Sequence, residues 1–282
     1  MSQVRDIDST PTLVIGPARV WSSDELRELW SYRELLYLLV WRDVKVRYKQ
    51  TVFGAGWAIL QPLMTMVVFT VIFGGFAKIE APGGLPYPIF SFAALLPWGY
   101  FSQAITRSSA SLVGSANLVS KVYFPRLIIP IAAAIAPAVD FAVASIVLLG
   151  MMAWYGIAPG WGALLLPAFL LLAFLTALSI GLWLTALNVK YRDVGHTIPF
   201  LVQIWMYASP VAYPIDLVPE QWRLLYSLNP MVGVIEGFRW GLLGRTAPDF
   251  QIMGVSLAAV VVLLVGGVAY FRRTERVFAD VI

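Results

Sequence analysis

The chain has 282 residues, of which 59% are hydrophobic and only 13% charged, and its mean hydropathy is +0.76. A soluble domain carries about 25% charged residues, so half the solvating charge is missing and a water-soluble protein is excluded. Cysteine is absent, which excludes disulfides and thiol chemistry. The excess of Lys and Arg lies in short segments between apolar blocks, as membrane topology requires, and forms no extended nucleic-acid-binding tract.

Residues 1–33 are mixed polar and acidic, without a basic start leading into an apolar core, so no cleavable signal peptide is expected. They are predicted to be a cytoplasmic N-terminal segment. Glu34 to Gln50 follows as an amphipathic interface helix, with Tyr37, Trp41, Val44 and Tyr48 on one face and Arg42, Lys45 and Lys49 on the other. Residues 51–282 then form the membrane domain. A spanning helix needs about 20 apolar residues, and six stretches approach this: Trp57–Phe76, Ile89–Ile105, Leu127–Trp154, Trp161–Leu187, Thr197–Ile215 and Phe250–Phe271. The turn between the third and fourth is Tyr155-Gly156-Ile157-Ala158-Pro159-Gly160. Pro199, Pro210 and Pro214 interrupt the fifth. The expected fold is therefore an all-α polytopic membrane protein with six spans and an interface helix.

With the N-terminus inside, sixteen of the Lys and Arg residues fall on the cytoplasmic side, and only Lys78, Arg223, Arg239 and Arg245 fall outside. The positive-inside rule then places both termini in the cytoplasm. Asp216 to Asp249 is too apolar for a plain loop and too charged to cross. Short helices re-entering the membrane from outside are expected there, because irregular backbone at that depth must be covered by protein or reached by water.

The sequence shows no catalytic or metal site. There is no Gly-x-x-x-x-Gly-Lys-Ser/Thr phosphate loop, no Gly-x-Ser-x-Gly elbow, and a single histidine, His196, which with no cysteine leaves no usual zinc ligand set. Asp140 is the only charge inside the six predicted spans. A carboxylate there should face protein or water, and with no second ionisable group in a span it reads as a structural or channel-facing polar residue rather than part of a proton relay. Trp98, Tyr100, Phe101, Trp205, Tyr207 and Tyr213 cluster in or near proline-marked spans. Aromatic faces bind sugar rings without gripping one unit, so these six are candidates for a polysaccharide path beside the alternative of interfacial belt or packing.

Several ordered segments resemble the transmembrane subunits of polysaccharide-exporting ABC transporters, the type 2 exporter permeases, Wzm-like O-antigen permeases among them. They are Phe53-Gly54-x-x-Trp57 with Gln61-Pro62, Leu96-Pro97-Trp98, the stretch from Asn117 through Lys121 and Val122 to Phe124-Pro125-Arg126, then Ser209-Pro210, Asn229-Pro230 and Glu236-x-x-Arg239. The resemblance implies a homodimer in the bacterial cytoplasmic membrane, bound to two copies of a separate ATPase that holds ATP and Mg, with no cofactor on this chain. It implies as substrate a polymer linked to a lipid pyrophosphate. Asn117, Lys121, Val122, Phe124, Pro125 and Arg126 become the expected ATPase-coupling loop, with Val122 and Phe124 inserting into a groove on the partner. Asn188 to Gly195 is the second candidate. Arg42, Lys45 and Lys49 become candidates for the anionic lipid head group, or for ordinary membrane lipid. Teichoic acid, capsule or drug export is the alternative within the class. A secondary transporter, which wants internal repeats and buried ionisable residues, and a membrane-embedded transferase are the alternatives outside it.

Overall fold

Prolines and glycines divide the apolar blocks into twelve α-helices in the computed structural model, which describes residues 23–49, 54, 56–244 and 249–281, apart from the side chains of 23–26, 276–277 and 279–281. The helices are α1 Ser23–Ser31, α2 Arg33–Lys49, α3 Gly56–Phe69, α4 Tyr87–Gly114, α5 Ala116–Lys121, α6 Ile128–Ile135, α7 Ala138–Trp154, α8 Leu166–Lys190, α9 Asp193–Tyr207, α10 Glu220–Tyr226, α11 Pro230–Leu243 and α12 Phe250–Val281. Among the described residues there is no strand. Gln50, Phe53 and Arg245 of the sequence expectations lie outside the described residues.

Among the described residues four segments are long and apolar enough to cross a membrane: Gly56–Phe76, Ile128–Trp154, Trp161–Lys190 and Phe250–Glu275. The first is α3 continued by a wider π-helical stretch, Thr70–Phe76. The second is α6 and α7, broken where Pro137 lacks an N–H to continue the ladder. The expected second and fifth spans differ from these four for separate reasons.

Helix α4 has 28 residues, about 42 Å at 1.5 Å per residue, and extends well past the expected end at Ile105. It is the central post, packed against α3, α6, α7, α8, α9 and α11. Surrounded by protein, it tolerates Ser102, Gln103, Thr106, Arg107, Ser108 and Ser109, which dilute its hydropathy. Phe92, Phe101 and Ile105 are fully buried along it. Helix α9 has only 15 residues and ends at Tyr207 rather than continuing to Ile215. Pro210 ends it, and Asn229 closes the open end, its Nδ2 donating to Ala208 O at 3.2 Å and Ser209 Oγ at 2.8 Å. The same side chain accepts from Met231 N at 3.1 Å and so caps α11.

Helices α4, α8 and α12 form the tightest layer. Thr185 Oγ1 donates to Ser108 O at 2.8 Å and Asn188 Nδ2 to Ser109 O at 2.9 Å, and a Cβ on Gly181 would stand 2.8 Å from Ser108 Oγ. Small residues at such crossings let helices approach without a hydrophobic driving force. At the end of the bundle where α4, α8 and α12 finish, a second apolar cluster joins Leu39 of α2 to Leu112, Phe124, Leu182 and Phe271. Helix α2 therefore lies on the protein through Leu35, Leu36, Leu39 and Val40. This corrects the expected face: Tyr37 and Trp41 point away, 65% and 48% exposed. Apolar residues lie on two sides of this helix, and a single stripe read from sequence picks only one.

Candidate functional site

A cavity of about 260 Å³ lies between α3, α4, α7 and α9. Its wall mixes aromatic faces (Trp57, Trp98, Tyr100, Phe141) with uncharged polar groups (Gln61, Thr65, Ser102, Gln103, Gln203), and Asp140 contributes the one charge. The Pro137 break starts α7 one turn before Asp140 and so aims the carboxylate between the helices.

Asp140 is not alone there. Arg47 Nη1 lies 2.5 Å from Asp140 Oδ2, and Tyr48 Oη donates to Oδ1. Arg47 Nη1 also donates to Gln103 Oε1 at 2.5 Å. The aspartate is 5% exposed and the arginine 23%. Burial and the bond to Asp140 push the Tyr48 phenol up to about 12, so it remains a proton donor at neutral pH. The sequence reading found the aspartate as a polar group needing protein contact but missed its partner. Arg47 had been counted only as a cytoplasmic charge, because a helix outside the spans was not expected to reach into them. The spacing of Arg47 and Tyr48 after Leu36, Leu39 and Val40 on one helical face was the available signal.

The six aromatic candidates separate. Trp98, Tyr100 and Phe101 are buried at 4% exposure or less. Tyr100 Oη donates to Ala134 O at 3.0 Å, while Phe101 meets Trp205 edge to face at 5.3 Å and Trp98 at the same separation. Trp98 and Tyr100 reach the cavity wall; Phe101 and Trp205 do not line it. Trp205 Nε1 donates to Asn229 Oδ1 at 3.0 Å. Tyr207 is half exposed, and Tyr213 Oη bonds Tyr207 O and Tyr226 Oη, each at 3.0 Å.

The expected coupling loop is corrected at Phe124. This ring is 5% exposed and belongs to the cluster beneath α2, so it anchors the loop to its own chain instead of projecting from it. Arg126 is also turned inward, Nη1 donating to Glu275 O at 2.5 Å. Asn117, Lys121 and Val122 are exposed, as is Tyr123 at 86%, a residue the sequence reading passed over. In the second candidate segment Asn188 is buried, bridging Ser109 O and Gly195 N, while Tyr191 is 53% exposed with Lys190 Nζ 5.1 Å above its ring. Arg42, Lys45 and Lys49 are exposed; Arg42 pairs with Asp43 at 2.9 Å.

At the opposite end, Arg239 is buried where an external charge was expected. It donates to Val211 O at 2.9 Å and Glu236 Oε1 at 3.0 Å, and its guanidinium lies 3.7 Å from the Phe90 ring centroid. Burial pushes the Glu236 carboxyl up, and Arg239 pulls it the other way. This pair ties α11 to the turn after α9 and to α4, which accounts for the Glu-x-x-Arg spacing.

Residues 34–243 match the family described as ABC-2 type transporter. The chain belongs to the ABC-2 type transporter family. The match begins inside α2 and ends at the last residue of α11, so all but the first residue of α2, the cavity, α10 and α11 fall within it. An O-antigen export system permease protein of Myxococcus xanthus is 30% identical over 257 residues, 90% of this chain and 98% of that protein. One of the same name from Klebsiella pneumoniae is 25% identical, covering 88% and 95%. A polysialic acid transport protein of Escherichia coli is 25% identical, covering 86% and 93%.

Proposed function

We propose that this chain is the permease of an ABC exporter that carries a lipid-linked polysaccharide, of the O-antigen kind, across the bacterial cytoplasmic membrane. The observation that carries this reading is the near end-to-end similarity to O-antigen export permeases. ATP and Mg are bound by a separate ATPase, two copies of which attach to two copies of this chain. The cavity wall supports the reading chemically, since aromatic faces take sugar rings and neutral amides take hydroxyls. In this proposal the chain crosses the membrane six times, with α4 and the short α9 as the second and fifth spans. Both termini face the cytoplasm, and α10 and α11 close the path from outside. The ends of α4, α8 and α12, with α2 beside them, carry most of the basic residues, which supports that orientation. Capsular polymer is the second reading, favoured by the relative named for polysialic acid.

The test is deletion of the gene in its own host. Surface polysaccharide should vanish while the lipid-linked polymer accumulates inside, and a plasmid copy should restore export. Unchanged surface polymer in the deletion strain would end this assignment.

A further inference from the structure

We propose that Arg107, beside Arg47 and one helical turn beyond the cavity-lining Gln103, forms a phosphate-binding site where the lipid-linked phosphate of the exported conjugate is held. The inference rests on the export reading and assigns residues to one part of it. Arg107 is partly buried in α4, one turn beyond Gln103 on the same helical face. Gln103 is the residue that accepts from Arg47, and Arg107 is within electrostatic reach of Arg47, Asp140 and Asp43.

Both nearby carboxylates are bonded by other residues. Asp43 is taken by Arg42 through Nε at 3.0 Å and Nη2 at 2.9 Å. Asp140 is taken by Arg47 and Tyr48. Among the described residues the Arg107 side chain makes neither a hydrogen bond nor an ion pair. A partly buried guanidinium beside a like charge is costly without a counter-ion, and its planar fork fits a phosphate with two parallel N–H donors. Arg42, Lys45 and Lys49, the candidates taken from sequence, are exposed on the far side of α2 and offer only general attraction to an anionic surface. Gln103 lies about 6 Å along the helix from Arg107 and Gly99 about 12 Å. A phosphate at Arg107 therefore sets the first sugars against the Gln103 and Trp98 wall.

The probes are a long-chain polyprenyl phosphate, the uncharged polyprenol of the same length, and phosphatidylglycerol, each offered to the purified chain in phosphatidylcholine nanodiscs. Wild type should bind the polyprenyl phosphate at least tenfold more tightly than the polyprenol. Arg107→Gln should reduce that ratio to threefold or less, and Arg42→Gln should leave it unchanged. Without ligand, Arg107→Gln should melt no lower than wild type, because it removes a partly buried charge that makes no direct ion pair. A ratio unaffected by Arg107→Gln, or a clearly lower melting temperature, overturns the proposal. So does phosphatidylglycerol binding as tightly as the polyprenyl phosphate, or inorganic diphosphate displacing it at equal concentration. The assay uses neither ATPase nor polymer, so its failure leaves the export reading standing, and a missing export phenotype would leave the binding result standing.

Discussion

Single residues in this chain matter according to what they leave behind when removed. Asp140 is buried against Arg47 and Tyr48, so Arg47→Leu strands a carboxylate in an apolar setting at a cost of about 3 kcal/mol, the lower end for a broken buried pair because the arginine is partly open to solvent. The double substitution Arg47→Leu with Asp140→Leu should recover most of that, since a packed apolar pair replaces an ionic one at little net cost. Asp140→Asn should fall between, keeping the Tyr48 bond. Unfolding midpoints of the four proteins in one detergent check the order, and a double variant weaker than Arg47→Leu alone would contradict it. Phe124 and Tyr123 make a second contrast. Phe124→Ala opens the cluster around Leu39 and Phe271 and should destabilise by about 3–4 kcal/mol. Tyr123→Ala removes a ring that is 86% exposed and should leave stability unchanged while reducing capture of the partner ATPase in a pull-down. Equal ATPase capture by wild type and Tyr123→Ala would take this surface out of the coupling role.

At the scale of helices, close crossings depend on residues with no side chain. A Cβ on Gly267 of α12 would meet the Ser179 carbonyl oxygen of α8 at 2.6 Å and Trp183 at 3.1 Å, whereas one on Gly254 of the same helix meets nothing within 4 Å. Backbone cannot rotate away as a side chain can, so Gly267→Ala should push α12 off α8 at a cost of about 1–3 kcal/mol, and Gly254→Ala should change stability by less than about 1 kcal/mol. Thermal unfolding of the two variants separates them. The sequence made the helices legible wherever lipid or a turn decides the pattern. Four long apolar segments lie close to where hydropathy placed them, and the Tyr155–Gly160 turn falls between α7 and α8. It was less legible where protein replaces lipid. The end of α4 was misplaced because a helix covered by its neighbours can carry serines and an arginine. The end of α9 was misplaced because Asn229, distant in sequence, supplies its cap. The cavity was half legible: Trp98, Tyr100 and Asp140 were named, but Gln61, Gln103 and Gln203 join them, and Arg47 pairs with Asp140, only through tertiary packing.

For the whole molecule, α3 with its π-helical continuation is the least covered of the apolar segments, with only 6% of its most apolar stretch buried. Leu60, Met64, Val67, Val68, Val71 and Ile72 are exposed along it, as a lipid-facing helix would show. Gln61, however, is exposed on the same helix and lines the cavity, and a glutamine amide facing hydrocarbon leaves its donors without partners. Protein or water must therefore reach this side of α3. We place the two-fold axis of the proposed homodimer beside α3, so that a second copy covers this side and the two cavities open to one passage. In such an isologous contact, residues near the axis meet their own copies. The chain has no cysteine of its own, so a single introduced thiol reports without background. Gln61→Cys, oxidised in native membranes, is expected to give a disulfide-linked dimer in good yield. Ile146→Cys on α7 and Val262→Cys on α12, both more than two-thirds exposed and turned to lipid in this arrangement, are expected to stay monomeric. A cross-linking yield at Gln61 no greater than at Val262 would place the second copy elsewhere and leave the glutamine facing a partner of another kind.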